Sequence, residues 1–294
     1  MKIIPYLQLA RPANIVTSVS DILAGIAIAS IGTMELSGLP WQGYSLLILS
    51  TIGLYGGGIV FNDVADAELD AVERPERPIP SGRVSSKNAL KLTVVLFAIG
   101  IVSAFSFDIR SGILALFITF FSVIYDLYGK HHSIMGPVNM GLCRGLNLLL
   151  GISILPDTLN GWYGIALIPV VYISAITMIS RGEVHGSSKK PLLAAAGMYI
   201  IVHLAQGITA YLYENLWIAS PFIFLHIFLL FKPLLKAIKT PIGPLIGKSV
   251  KAGVLSLIIM NAAWAGVAGS ITLALIIASL LPVSMFLGKK FAVT

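Results

Sequence analysis

Asp63, Asp66, Glu68, Asp70, Glu73 and Glu76 crowd into one stretch, GIVFNDVADAELDAVERPERPIPSGRVS, which comes directly after an apolar run. If that run continues as helix, Asn62, Asp66 and Asp70 stand at i, i+4 and i+8, with Asp63 three residues before Asp66. One face then gathers three carboxylates and an amide. Like charges at this spacing repel, and the C-terminal end of a helix disfavours anions. A cation offsets both effects. Hard oxygen donors with an incomplete protein shell suit Mg²⁺, which keeps waters and binds through one or two carboxylates plus substrate phosphates. The competing reading is a solvated acidic face neutralised by Arg74, Arg77 and Arg83.

The elements that hold this stretch belong to a membrane protein. The chain has 294 residues, 56% hydrophobic and only 11% charged, with a mean hydropathy of +0.90. A soluble domain carries about 25% charged residues, so lipid is the main solvent here. A lone cysteine, Cys143, excludes an intrachain disulfide and a cysteine-based metal cluster. Met1–Arg11, with Pro5 and Pro12 around it, leads straight into a full-length apolar segment, so no cleavable signal peptide is expected. Runs long enough to cross a bilayer as helices fall at 13–33, 43–62, 88–107, 110–128, 136–155, 162–180, 191–212, 216–235, 247–265 and 269–288. Only Gly266–Ser270 divides the last two, which leaves nine or ten spans. With the N-terminus inside, every Lys and Arg from Lys2 to Lys290 lies on the inner side except Arg110 and Arg144, while Glu35 and Asp157 lie outside. That skew accounts for the +7 net charge as a membrane feature and argues against nucleic acid as a partner. The expected fold is all-α: a polytopic transmembrane helical bundle around a lipid-facing cavity, with 1–294 as one domain in the cell membrane.

The acidic stretch carries a resemblance. NDVADAELD and the RPERPIPSGRVS after it resemble the first Asp-rich motif of the UbiA superfamily of intramembrane prenyltransferases. Asn62, Asp63, Asp66, Asp70, Arg74, Pro75, Arg77, Pro78, Ser81, Gly82 and Arg83 all match that pattern. RPAN (Arg11–Asn14) is similar to the family's start of span one, and YDLYGK (Tyr125–Lys130) to the inner end of its span four. The resemblance implies that Asn62, Asp63, Asp66 and Asp70 hold Mg²⁺ against an isoprenoid diphosphate, and that Arg77, Arg83 and Lys130 contact its phosphates. It also implies the reaction. An allylic C–O bond ionises in a dry cavity, metal and cations stabilise the leaving diphosphate, and an acceptor attacks C1.

The family places a second Asp-rich motif after span six, usually two aspartates four residues apart. ISRGEVHGSSKKPLL stands there and holds a single carboxylate, Glu183, beside Arg181 and His185. Glu183 can still ligate one Mg²⁺, and Arg181 and His185 can contact phosphate; a plain basic anchor for the helix end is the other reading. SRGEVHG itself resembles the UbiA-like group called EboC. Within the spans, Arg144 in GLCRGLNLLLG costs about 2.5–3.5 kcal/mol or more to insert, so it faces the bundle interior, toward a diphosphate or in a pair with Asp126 or Asp21. Asp21 and Asn14 are candidates for the acceptor end of the cavity. Aside from catalysis, the pattern admits a non-catalytic prenyl-lipid binding protein of this descent, or a multipass transporter component.

Overall fold

The computed structural model describes residues 3–31, 41–130, 132 and 134–291. Lys2, Glu35 and the last two residues of the first predicted span lie outside the described residues. The described chain is helical: α1 (Ile4–Ala10), α2 (Pro12–Ala29), α3 (Trp41–Ala65), α4 (Ala67–Glu73), α5 (Ser86–Phe107), α6 (Ile109–Ile124), α7 (Met135–Ile152), α8 (Leu159–Trp162), α9 (Leu167–Ser180), α10 (Lys189–Leu212), α11 (Leu216–Lys239), α12 (Gly243–Val267) and α13 (Ile271–Phe291). No strand occurs among the described residues.

Among the described residues, nine helices are long and apolar enough to cross a membrane by length and composition. The fifth predicted span, α7, is not one of the nine, although it runs 18 residues and packs against α2, α6 and α9. Its apolarity is diluted by Asn139, Arg144 and Asn147, all buried. Inside a bundle such groups find partners, which is why α7 sits where lipid does not reach them. The last two predicted spans are distinct helices, parted by Gly269 at φ 80°, a conformation glycine adopts freely.

The helices α2 and α12 form the buried centre, and α2 is packed by α3, α7, α12 and α13. Close approach of α2 and α7 depends on two glycines. A Cβ at Gly25 would lie 2.3 Å from the Leu148 carbonyl oxygen, and one at Gly151 would lie 2.4 Å from that of Ile22. No side chain fits there.

The two ends of the bundle differ chemically. The acidic segment after α3, the loop after α9 and the α11–α12 turn share one end, where Ser187 N–H donates to Pro241 O at 3.1 Å. Trp41, Tyr163, Tyr211, Tyr213 and Trp217 are exposed at the opposite ends of their helices, as an interfacial aromatic belt would be. Cysteines introduced at Ser81, Ser188 and Lys239 are therefore expected to react with an impermeant maleimide from one face only, and one at Asp157 from the other. Labelling of Ser81 and Asp157 from the same side would overturn the arrangement.

Candidate functional site

α3 ends at Ala65, where Asp66 takes φ −92° and ψ 5°, and α4 starts at Ala67. The single continuous helix expected from the spacing is therefore two. The four-residue ladder nonetheless survives: Asp66 N–H donates to Asn62 O at 2.9 Å, Asp70 N–H to Asp66 O at 2.8 Å, and Arg74 N–H to Asp70 O at 2.8 Å. Asn62, Asp66 and Asp70 keep their order along one side.

Each carboxylate then meets a cation. Lys130 Nζ pairs with Asp66, and Arg77 Nη1 lies 2.6 Å from Asp70 Oδ2 and 3.5 Å from Asp63 Oδ1. Arg11 completes the set by pairing with Asp63. Lys130 arrives from a wide helical turn, Tyr125–Gly129, closed by Lys130 N–H donating to Tyr125 O at 2.9 Å. A turn of this kind shifts the register of the residues after it, and such turns recur at functional sites. The same turn presents buried Asp126, whose Oδ1 accepts from Asn62 Nδ2 at 2.7 Å. Arg83 sits apart, bonded to Ser81 Oγ and Gln8 Oε1, each at 2.9 Å, and to the Glu76 carbonyl. It ties the loop to α1 at the rim and makes no ion pair with the carboxylates.

Behind this mouth lies a cavity of about 290 Å³. Leu54, Ile59, Ile118, Ile173, Ile176, Val254 and Leu257 form its apolar walls, while Arg11, Asn14, Asn62, Tyr125 and Asp126 line it as well. Arg144 and Tyr55 also line it, with the guanidinium 4.6 Å from the ring centroid. Arg144 is not free: Nη1 donates to Asp21 Oδ2 at 2.7 Å and Nη2 to Thr17 Oγ1. Of the two partners the sequence left open, Asp21 is the one it holds. Asp21 is in turn fully engaged, taking Asn147 Nδ2 at 3.0 Å on Oδ2 and Asn261 Nδ2 at 2.7 Å on Oδ1. It acts on the cavity through Arg144.

The loop after α9 packs close on the start of α12: a Cβ at Gly243 would lie 2.3 Å from the Glu183 carbonyl oxygen. Glu183, Arg181 and His185 are exposed and line neither this cavity nor the smaller one beside Arg11. Partial burial pushes the Glu183 carboxyl above its ordinary range, and the positive charge of Arg74 pulls it back. Arg74 thus couples the two loops electrically.

Among the described residues no group of three or more His, Cys, Asp or Glu is placed to hold a metal ion unaided. Asp66 and Asp70 offer hard oxygens one helical turn apart, which fits an ion that brings phosphate oxygens and waters of its own and does not need a full protein cage.

Residues 22–238 match the model of the UbiA prenyltransferase family. The chain belongs to the UbiA prenyltransferase family. Its relatives include digeranylgeranylglyceryl phosphate synthase of Methanosarcina mazei, 33% identical over 61% of this chain and 63% of the relative. The enzyme of that name in Saccharolobus solfataricus is 30% identical over 61% of each chain. The match thus spans a little over three-fifths of the length of these curated relatives. An apo structure of a UbiA homologue from Aeropyrum pernix superposes with a TM-score of 0.69 at 16% identity, covering 85% of this chain and 96% of that one. One from Archaeoglobus fulgidus, bound to GPP and Mg²⁺, gives 0.59 at 15% identity, covering 86% and 99%. These structures establish the UbiA fold, and the relatives carry the superfamily and not the EboC subgroup.

The residues that spacing alone does not bring to the site are Arg11, Thr17, Tyr55 and Asn261. Arg11 stands in the RPAN string, the one local signal for it; the others have none. Because Asp21 and Arg144 are each buried within a few per cent of completely, removing one partner strands the other charge. Asp21→Asn is expected to lose about 3–5 kcal/mol, read as a lower melting temperature in detergent. Adding Arg144→Met should recover much of that loss; no recovery would mean that the pair is not what Asp21 serves.

Proposed function

We propose that this chain is a Mg²⁺-dependent prenyltransferase, moving a prenyl group from an isoprenoid diphosphate to a lipophilic or aromatic acceptor inside the cell membrane, with its N-terminus cytoplasmic. The observation that supports this reading is the cluster of Asp63, Asp66 and Asp70 with their counter-cations beside an apolar cavity, whose lining it meets at Arg11 and Asn62. It is supported by the family, by relatives named for prenyl transfer, and by a fold neighbour that carries GPP with Mg²⁺.

Asn62, Asp63, Asp66 and Asp70, with Glu183 from the second loop, are the residues that would hold Mg²⁺, which supplies positive charge to a diphosphate as it leaves. The protein's own part is an exchange of partners. Arg77 and Lys130 now neutralise carboxylates, and the same cations can turn to phosphate oxygens when the carboxylates are otherwise engaged. Arg83, Arg181 and His185 would supply further phosphate contacts. The C1–O bond then breaks with its electron pair on the diphosphate, the acceptor's nucleophilic atom bonds C1, and the acceptor gives up its proton. The apolar walls exclude water from the allylic cation. Arg144, held by Asp21, and Asn14 provide the polar groups for the acceptor end.

The second reading is a non-catalytic prenyl-lipid binding protein, favoured by one observation: Glu183 is the loop's single carboxylate and lies outside the cavity. Mass analysis of lipid extracts from cells with and without the gene separates the two, since only an enzyme leaves a prenylated lipid that disappears with it.

Asp66→Ala or Asp70→Ala is expected to abolish the Mg²⁺-dependent part of prenyl diphosphate affinity with little effect on insertion. Equal binding in EDTA, or in the double variant, would point instead to a charge-balanced surface loop.

Glu183→Gln should lower turnover by about 10²-fold while binding falls far less, the scale of removing one electrostatic stabiliser of the transition state. The acid side of the pH profile tests the same residue. Its raised pKa means that the carboxylate form is lost as pH falls through a value above the usual 4.5, and Glu183→Gln should remove that limb. A wild-type rate in this variant would end the assignment.

A further inference from the structure

Among the described residues, one acidic side chain lines the larger cavity, and it is none of Asp63, Asp66 or Asp70. It is Asp126, which is 3% exposed. The three clustered carboxylates each have a cation. Asp126 makes no ion pair, because Lys130, one turn further on, is committed to Asp66. Asn62 Nδ2 donates to Asp126 Oδ1 at 2.7 Å, and Oδ2 has no hydrogen-bond partner among the described residues. A buried carboxylate with an unmet oxygen is costly unless something positive reaches it.

The wide turn at Tyr125–Gly129 sets the place of this group. It meets the end of α3 in two rungs: Asp126 faces Asn62, and Lys130, four residues on, faces Asp66, four residues beyond Asn62. The first rung also fixes the amide of Asn62. Its Nδ2 is spent on Asp126, which leaves Oδ1 as an oxygen with no hydrogen-bond partner among the described residues. In the prenyl-transfer reading Lys130 turns to phosphate. Asp66 and Asp126 are then both without a cation, with the Asn62 oxygen beside them.

Two carboxylates and an amide oxygen, on two different elements, suit an ion that fills the rest of its shell with phosphate and water. The second loop offers less, since Glu183 is exposed and lines neither cavity. We propose that Asp126 binds the diphosphate's Mg²⁺ through Oδ2, beside Asn62 and Asp66, so that the metal is held by α3 together with the wide turn and does not depend on a second aspartate pair. The proposal rests on the prenyl-transfer reading and adds to it a ligand that lies in neither of the two acidic loops.

Metal binding to the purified full chain in detergent tests this. Mn²⁺ takes the same oxygen ligands as Mg²⁺ and is visible by electron paramagnetic resonance. Geranyl thiolodiphosphate, with sulfur in place of the C1-bound oxygen, serves as a slowly ionising prenyl ligand. Asp126→Asn keeps the shape of the side chain and an acceptor for Asn62, so folding is retained while the charge is lost. It is expected to weaken Mn²⁺ in the presence of the thiolodiphosphate by about tenfold or more. Asp126→Cys separates a ligand from a mere neighbour. A thiolate in the metal's shell favours the softer Cd²⁺, so the ratio of Cd²⁺ to Mn²⁺ affinity should rise by about a hundredfold over wild type. Loss of a nearby charge alone would weaken both ions alike, and Cys143 is common to both proteins. Mn²⁺ affinity within about twofold of wild type in Asp126→Asn overturns the proposal. So does an unchanged ratio in Asp126→Cys, which would leave Asp126 only as the group that orients Asn62. A wild-type protein whose affinity for the thiolodiphosphate is indifferent to Mn²⁺ would sink the prenyl-transfer reading instead.

Discussion

A guanidinium in the middle of a membrane bundle is tolerable only if its charge and its donors are met, and Arg144 imposes that condition on everything around it. Asp21 from α2 supplies the charge, Thr17 a second acceptor and Tyr55 from α3 a ring face. Asp21 must itself be saturated, which brings in Asn147 from α7 and Asn261 from α12. Four helices are thereby committed to one point. Their backbones reach it because Gly25 and Gly151 let α2 and α7 touch. The result is a polar floor beneath a chamber whose walls are largely aliphatic.

The same accounting governs the mouth. Asp63, Asp66 and Asp70 would repel one another at the end of α3, and the local helix dipole adds to the cost. Arg11, Arg77 and Lys130 cancel it, one cation for each carboxylate. A balanced cluster of this kind is stable without being committed. The contacts are ionic, so they can be traded for others of equal charge without a change in fold. A diphosphate with a divalent ion is close to such a trade, since it brings both the anions that the bases need and the cation that the acids need.

How much of this is legible in the sequence depends on the range of each interaction. The spans are local: the predicted run at 88–107 is observed as Ser86–Phe107 and that at 216–235 as Leu216–Lys239, because apolar length and a bounding polar residue define both. α7 was readable as a span despite its polar residues, and the cost of inserting Arg144 was enough to turn that residue inward. The acidic motif was readable because its spacing lies within one helical path, although the break at Asp66 was not. The ion pairs of Arg11 and Lys130 were not readable, since Arg11 lies 52 residues from Asp63 and Lys130 lies 64 from Asp66. Pairing over that distance depends on how helices pack, which no local pattern encodes. For Arg144 the sequence could demand an anion and still leave a diphosphate, Asp21 and Asp126 open.

The second loop is where local pattern and packing have to be weighed together. By pattern it is impoverished, with the single carboxylate Glu183 in place of the aspartate pair that the resemblance implies. Packing gives that one carboxylate an unusual setting. The backbone of Glu183 is pressed onto Gly243, where no side chain would fit, so its position is set by the start of α12 and not by the loop's own flexibility. Partial burial raises its pKa, and the positive charge of Arg74, which comes directly after α4, works against that rise. A displacement of the first loop would therefore change the ionisation of the second. In a site whose cations must change partners, Arg74 is a link of that kind: drawn toward phosphate, it leaves Glu183 with less to offset the cost of its own burial and a stronger demand for another cation. The loss of one carboxylate then need not uncouple the loops, because the coupling runs through a charge and does not require a shared ligand set.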